Sequence, residues 1–274
     1  MEDNYNFTII NVDTDAILFC KPDGSELTDD EQDSFIEELN AQFPDKIKFD
    51  HDGYYESVLV IKTKNYALLK KGDTEVKLKG SSIRDQKKEP ALKEMLIKII
   101  DAYIFNKQET VPAIYESYVQ EVMNIKDIGR WAQKKGITEA VTNCEGYEKY
   151  SKEELAEKGI RANETNIWDA VKNEEIIQQG DKFQLYPGII GFEDISTTKE
   201  LKKGPKTTVK RVYTYGLQQI KCWDAEKPNH DKEQLLKRVY DTLKIFKTIL
   251  DIEQFKNYSL QKNYKTLTGD KSEV

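Results

Sequence analysis

Two carboxylates, Asp13 and Asp15, stand two residues apart between the short apolar runs Ile9-Ile10-Asn11-Val12 and Ala16-Ile17-Leu18-Phe19. Runs of this length, rich in Ile and Val, predict two buried strands with Asp13-Thr14-Asp15 at the tip of a hairpin. Strand side chains repeat every two residues, so both carboxylates would point to one side. Anions that close repel each other unless something positive lies between them. A divalent metal held by oxygen ligands is one answer. A solvated turn, in which Asp hydrogen-bonds its own backbone, is the other.

Downstream, Val58-Leu59-Val60-Ile61-Lys62-Thr63-Lys64-Asn65-Tyr66 delivers lysines and a tyrosine from a strand-like run. Lys77-Leu78-Lys79-Gly80-Ser81-Ser82-Ile83-Arg84 and Lys87-Lys88-Glu89-Pro90-Ala91-Leu92-Lys93 come next. In order and spacing these segments resemble the end of the palm and the start of the thumb of family B DNA polymerases. Asp13-Thr14-Asp15 resembles that family's second catalytic carboxylate motif, written DTDS. Lys64-Asn65-Tyr66 resembles its KKxY primer-contact motif. Lys79-Gly80-Ser81 with Lys88-Glu89-Pro90-Ala91-Leu92 resembles the palm-to-thumb junction. Gln179-Gly180-Asp181-Lys182 resembles a thumb segment that precedes a short strand. The resemblance covers residues 5–100 specifically and the rest loosely. The chain departs from the pattern at Ala16, where Ser is common, at Asn65, where Arg is frequent, and at Thr63, where the first Lys would stand.

The resemblance implies nucleotidyl transfer with two Mg2+ ions, Asp15 a direct ligand and Asp13 a second or conditional one, both catalytic. Two ions about 3.5–4 Å apart would stabilise the entering and leaving oxygens. It implies primer-template DNA and dNTP as partners. Lys64, Tyr66, Lys79, Ser81, Ser82, Arg84, Lys87 and Lys88 would be the DNA-binding residues. The family's first catalytic Asp, its fingers and its exonuclease correspond to sequence upstream of Met1. The chain is therefore expected to need a complementary N-terminal polymerase chain, and Met1-Glu2-Asp3-Asn4 suits a natural start. Two further readings stay open: a fragment of a single-chain polymerase, and a non-catalytic DNA-binding protein descended from a thumb.

Charge is compatible with DNA despite a net −7, because it is unevenly placed. Residues 1–60 sum to −13, residues 61–98 to +6 and the remainder to zero, so a local positive field succeeds an acidic block. Of the basic residues 37 are Lys and 5 Arg, a bias that suits phosphate contact over base readout. Cys20, Cys144 and Cys222 are odd in number and scattered, against a disulfide framework or zinc site. His51 and His230 are isolated, against histidine catalysis. No apolar stretch of about 18 residues and no signal-peptide pattern occur, so the chain is expected to be soluble and intracellular, without a membrane.

The elements that would position these residues read as α+β: an antiparallel palm sheet with a packed helix over 1–84, then a mainly helical thumb over 85–274. A helix is predicted over 28–42, capped by Thr28 with Asp29, Asp30 and Glu31 in its first turn, and with Phe35, Ile36, Leu39 and Phe43 in the core. Strands are predicted over 46–50, 54–70 and 75–79. Helices are expected from Pro90 to 104 and over 111–124, 125–135, 151–157 (with Ser151 and Glu154 as a capping box), 166–178 and 231–250. Short strands are expected over 182–186, 189–195 and 209–215. Gly204-Pro205-Lys206 reads as a loop and 270–274 as a polar tail. Trp131, Trp168, Trp223 and the tyrosines receive no role.

Overall fold

The computed structural model describes residues 6–13, 16–201 and 204–255, without the side chains of 199–201 and 204–206. Helices and antiparallel strands are mixed, as in the α+β class. The chain divides into two compact units, residues 1–84 with 100–108, and residues 85–99 with 109–274.

In the first unit β1 (Thr8–Val12) pairs with β2 (Ile17–Cys20), with a bulge at Ile10. These strands are not buried. Ile10 and Val12 are 38% and 56% exposed, because a two-stranded ribbon is covered on one face at most. The covered face carries Phe19, which meets Phe7 and Phe35 with ring centroids 4.8 and 5.1 Å away. Phe35 comes from α1 (Asp29–Asn40), whose start forms the expected capping box. Thr28 Oγ1 accepts from the Glu31 N–H, and Glu31 Oε2 accepts from the Thr28 N–H. Of the four apolar residues expected in the core, only Phe35 is buried; Phe43 sits at the surface against Phe49. No strand forms over 46–50. The Asn40 side chain accepts from the Phe49 N–H and donates to the Phe49 carbonyl, supplying there what a neighbouring strand would.

The predicted run 54–70 is two strands, β3 (Tyr55–Lys62) and β4 (Asn65–Lys70), and β5 (Val76–Lys79) completes a sheet in the order β3-β4-β5. The break falls at Thr63-Lys64, where Lys64 adopts a φ of +59°, a left-handed conformation that ends a strand. Central β4 buries Ala67, Leu68 and Leu69.

In the second unit Pro90 opens α2 (Pro90–Ile104), whose chain crosses between the units after Ile99. Helix α3 (Val111–Met123) packs against α7 (Lys232–Leu243), and Val119 and Val122 of the first and Leu235 and Val239 of the second are buried. The predicted helix 125–135 is instead a short 3-10 turn, Ile128–Trp131, followed by β6 (Gln133–Gly136). Burial of Trp131, whose Nε1 donates to Glu121, fixes the turn, and β6 then finds a partner in β7. Next come α4 (Glu139–Thr142), α5 (Lys152–Glu157) with the Ser151–Glu154 capping box, and α6 (Ala162–Val171). The last was expected at 166–178; it starts earlier because the Glu164 carboxylate accepts from the Arg161 N–H. The final helix ends at Leu243 and passes into a 3-10 turn, short of 250. The expected tail at 270–274 lies outside the described residues.

The largest departure is β7 (Lys182–Leu201) with β8 (Gly204–Gln219). Three predicted short strands form one long antiparallel ribbon, which with β6 gives the order β6-β7-β8. Pro187-Gly188 reads as a breaker, yet the strand runs through it. Gly188 keeps the approach close: a Cβ there would stand 3.2 Å from the Asn229 carbonyl, a tight contact. The 229–231 segment lies alongside and bonds to Ile189 and Pro187. Gly204 and Pro205 belong to β8, not to a loop. The base of the ribbon joins a core of Ile137, Val141, Ile167, Val171 and Leu185. The second unit thus carries a sheet as well as the expected helices. No helix among the described residues is long and apolar enough to cross a membrane.

Candidate functional site

The hairpin of the acidic motif is closed by the Asp13 N–H, which donates to the Ala16 carbonyl at 2.8 Å. Thr14 and Asp15 lie outside the described residues. The Asp13 side chain is a quarter exposed, and its Oδ1 is 3.3 Å from Lys64 Nζ. The acidic hairpin and the Lys64-Asn65-Tyr66 segment, remote in sequence, therefore meet in one ion pair.

Lys64 is held in the β3–β4 turn and not on a strand as predicted. Asn65 explains how. It is 4% exposed, its Nδ2 donates to the Thr63 carbonyl and its Oδ1 accepts from the Ser82 N–H, both at 3.0 Å. One buried amide thus ties the turn that carries Lys64 to the segment that carries Ser81 and Ser82. Gly80 makes the tie possible. Its φ is +109°, and a Cβ there would stand 2.3 Å from the Lys64 carbonyl oxygen and 2.5 Å from Asn65 Oδ1. Tyr66, half-buried on β4, is the cross-strand partner of Lys79 on β5. Ser81 is exposed, Ser82 half-buried, and exposed Arg84 donates its N–H to the Gly80 carbonyl. Asp13, Lys64, Tyr66, Lys79, Ser81, Ser82 and Arg84 all belong to the first unit.

Lys87 and Lys88 belong to the second unit, among basic neighbours that sequence reasoning missed. Lys88 Nζ is 3.5 Å from Thr242 Oγ1. Arg238 on α7 bonds the Glu89 carboxylate, which is 2% exposed, at 2.5 Å. Lys135 on β6 feels Arg238 and Lys87 as like charges. Burial first, and these neighbours second, hold its amine below the usual lysine range. Neither Lys135 nor Arg238 carries a local motif; only the fold brings them to Glu89.

Among the described residues no three His, Cys, Asp or Glu side chains converge as metal ligands. The acidic tip contributes Asp13 alone there, and Lys64 already counters its charge. A hard divalent ion takes six or more oxygens, so these residues by themselves do not build its site. An open groove of about 710 Å³ in the first unit, lined by Asp23, Asp30, Glu31 and Glu38 with Lys21, includes none of the candidate residues. Its carboxylates oppose an anionic nucleotide. The tryptophans are packing residues: Trp131 is buried, Trp168 packs on the core at the ribbon base, and Trp223 lies edge-on to Tyr186. No protein-family model and no curated protein matches the chain.

Proposed function

We propose that this chain supplies the C-terminal palm and the thumb of a family B DNA-directed DNA polymerase, and that a complementary chain brings the exonuclease, the fingers and the first catalytic Asp. The observation that carries the reading is the ion pair between Asp13 and Lys64. It joins the two segments that resemble separate motifs of one active site. The proposal includes two Mg2+ ions, with Asp15 the direct ligand, Asp13 the lesser one, and further ligands on the complementary chain.

The chain's other residues have plainer tasks. Lys64, released from Asp13, donates to acceptors in the minor groove that every base pair presents. Tyr66 and Lys79, paired across β4 and β5, flank the primer. Ser81, Ser82 and Arg84 face phosphates, and Lys87 and Lys88 do so from the second unit. The β1–β2 ribbon, with two strands and exposed Ile10 and Val12, offers an edge on which a complementary chain can add a strand.

A second reading, a non-catalytic duplex-binding protein, draws on the absence of a ligand cluster among the described residues. Both readings require duplex binding through phosphates. Each neutralised phosphate contributes about −0.9 to the slope of log K against log salt. Replacing Lys79, Lys87 and Lys88 by Ala should flatten that slope by up to about 3 and weaken all duplex sequences alike. An unchanged slope would remove both readings. Primer extension by the assembled complex separates them, since only the polymerase reading predicts it.

A further inference from the structure

The groove of the first unit follows α1, whose Asp30, Ser34 and Glu38 line it at i, i+4 and i+8. At 1.5 Å per residue the two carboxylates stand about 12 Å apart along the helix axis. Phe7, Leu27 and Phe35 give the groove an apolar side, with the Phe7 and Phe35 rings edge to face at 5.2 Å. The acids in the lining are not equally engaged. Glu31 accepts from Lys21 Nζ at 3.0 Å, and Asp23 accepts from the Ser25 N–H and hydroxyl. The carboxylates of Asp30 and Glu38 have no hydrogen bond or ion pair among the described residues. Helix α1 also carries Asp29, Asp33 and Glu37 and no basic residue at all. Asp29, Asp33 and Glu37 repeat every four residues, a repulsive spacing. Glu37 and Glu38 stand in the last turn, where the helix dipole disfavours anions. Helix stability alone does not call for these acids.

We infer that this groove docks an extended, basic segment of a partner protein, with two cationic side chains four residues apart and an apolar one midway. Charge sets the sign of the occupant. The lining holds Asp23, Asp30, Glu31 and Glu38 against Lys21, a net −3, which repels nucleic acid. Geometry sets its spacing. An extended strand rises about 3.3 Å per residue and turns every second side chain to one face. Residues i and i+4 of such a segment lie about 13 Å apart, close to the Asp30–Glu38 separation. Residue i+2 then falls between them, on the side of Phe7 and Phe35. A single divalent ion binds its oxygens at about 2.0–2.6 Å and cannot span carboxylates so far apart. A polyamine would satisfy the carboxylates but leave the rings bare. The groove shares no residue with the proposed active site, and its occupancy is independent of the polymerase reading.

The test is fluorescence anisotropy of the full chain with a labelled Gly/Ser peptide that carries two lysines four residues apart and a leucine midway. The wild type should bind it. Replacing the peptide's leucine by serine should weaken binding about tenfold, as lost apolar burial. Asp30→Asn with Glu38→Gln should weaken it roughly fivefold, the share of two exposed ion pairs. Asp29→Asn with Asp33→Asn removes the same charge outside the groove lining and should change affinity by less than about twofold. Ser34→Arg should block the groove. Its new i, i+4 pairings with Asp30 and Glu38 should hold or raise the melting temperature, so its lost binding is not unfolding. No binding by the wild type, equal losses in the two acidic pairs, or wild-type affinity in Ser34→Arg would overturn the inference. So would displacement by spermine together with indifference to the leucine, which would assign the groove to a polyamine.

Discussion

His230 is the group whose titration should be easiest to read in stability. It is 5% exposed, beside β7 at its bridge to Gly188, with its ring 5.3 Å from Trp223. Burial lowers its pKa to about 4, Lys232 adds to the effect, and the contact of Nε2 with the Val122 carbonyl opposes it. The unfolded chain protonates the imidazole near 6.5, whereas the folded chain keeps it neutral to about 4. Between those values the unfolded state holds more protons, so stability falls with falling pH; above them the full stability is present. At 1.36 kcal/mol per pKa unit the loss across the window is roughly 3 kcal/mol. The assay is urea unfolding followed by Trp fluorescence, from pH 7.5 down to 4.5, for the wild type and His230→Gln. Carboxylates common to both cancel in the difference. The wild type should lose its advantage steadily below pH 6.5. A difference that stays flat with pH would refute the buried, neutral histidine.

Gly80→Ala should destabilise the first unit by about 2–4 kcal/mol, from left-handed strain plus collision with the Lys64 carbonyl and the Asn65 amide; chemical unfolding measures it, and a neutral result would mean that the turn is not closed on Asn65. Glu89→Ala should cost about 3–5 kcal/mol because it strands Arg238, and pairing it with Arg238→Met should recover most of that loss; additive losses in the double variant would contradict the pairing.

Much of this architecture was legible because its causes are local. Thr28 and Ser151 cap their helices through side chains three residues from their partners, and Pro90 starts α2 where proline has no N–H to lose. Failures came where a distant segment decides the outcome. Pro187-Gly188 looks like a break until the 229–231 segment lies beside it. Residues 125–135 have helical spacing, but Trp131 is buried and β6 is claimed by β7. In the candidate site, the proximity of Asp13 to Lys64 could be expected only through the resemblance of their motifs. Asn65, which looked like a departure from that pattern, is the amide that fixes the turn. Lys135 and Arg238 had no signal of their own, since a charge cluster assembled from separate places leaves no trace in spacing.

Primer extension decides whether the acidic hairpin belongs to a polymerase active site. The chain would be used as bait to recover its complementary polypeptide from the source, and the assembled complex supplied with primer-template DNA, dNTP and Mg2+. The wild type should extend the primer, Asp15→Ala should lose extension with duplex affinity nearly unchanged, and Asp13→Ala should lose less. Extension by the Asp15→Ala complex at the wild-type rate, or a recovered partner that yields no extension with the wild type, would contradict the polymerase reading.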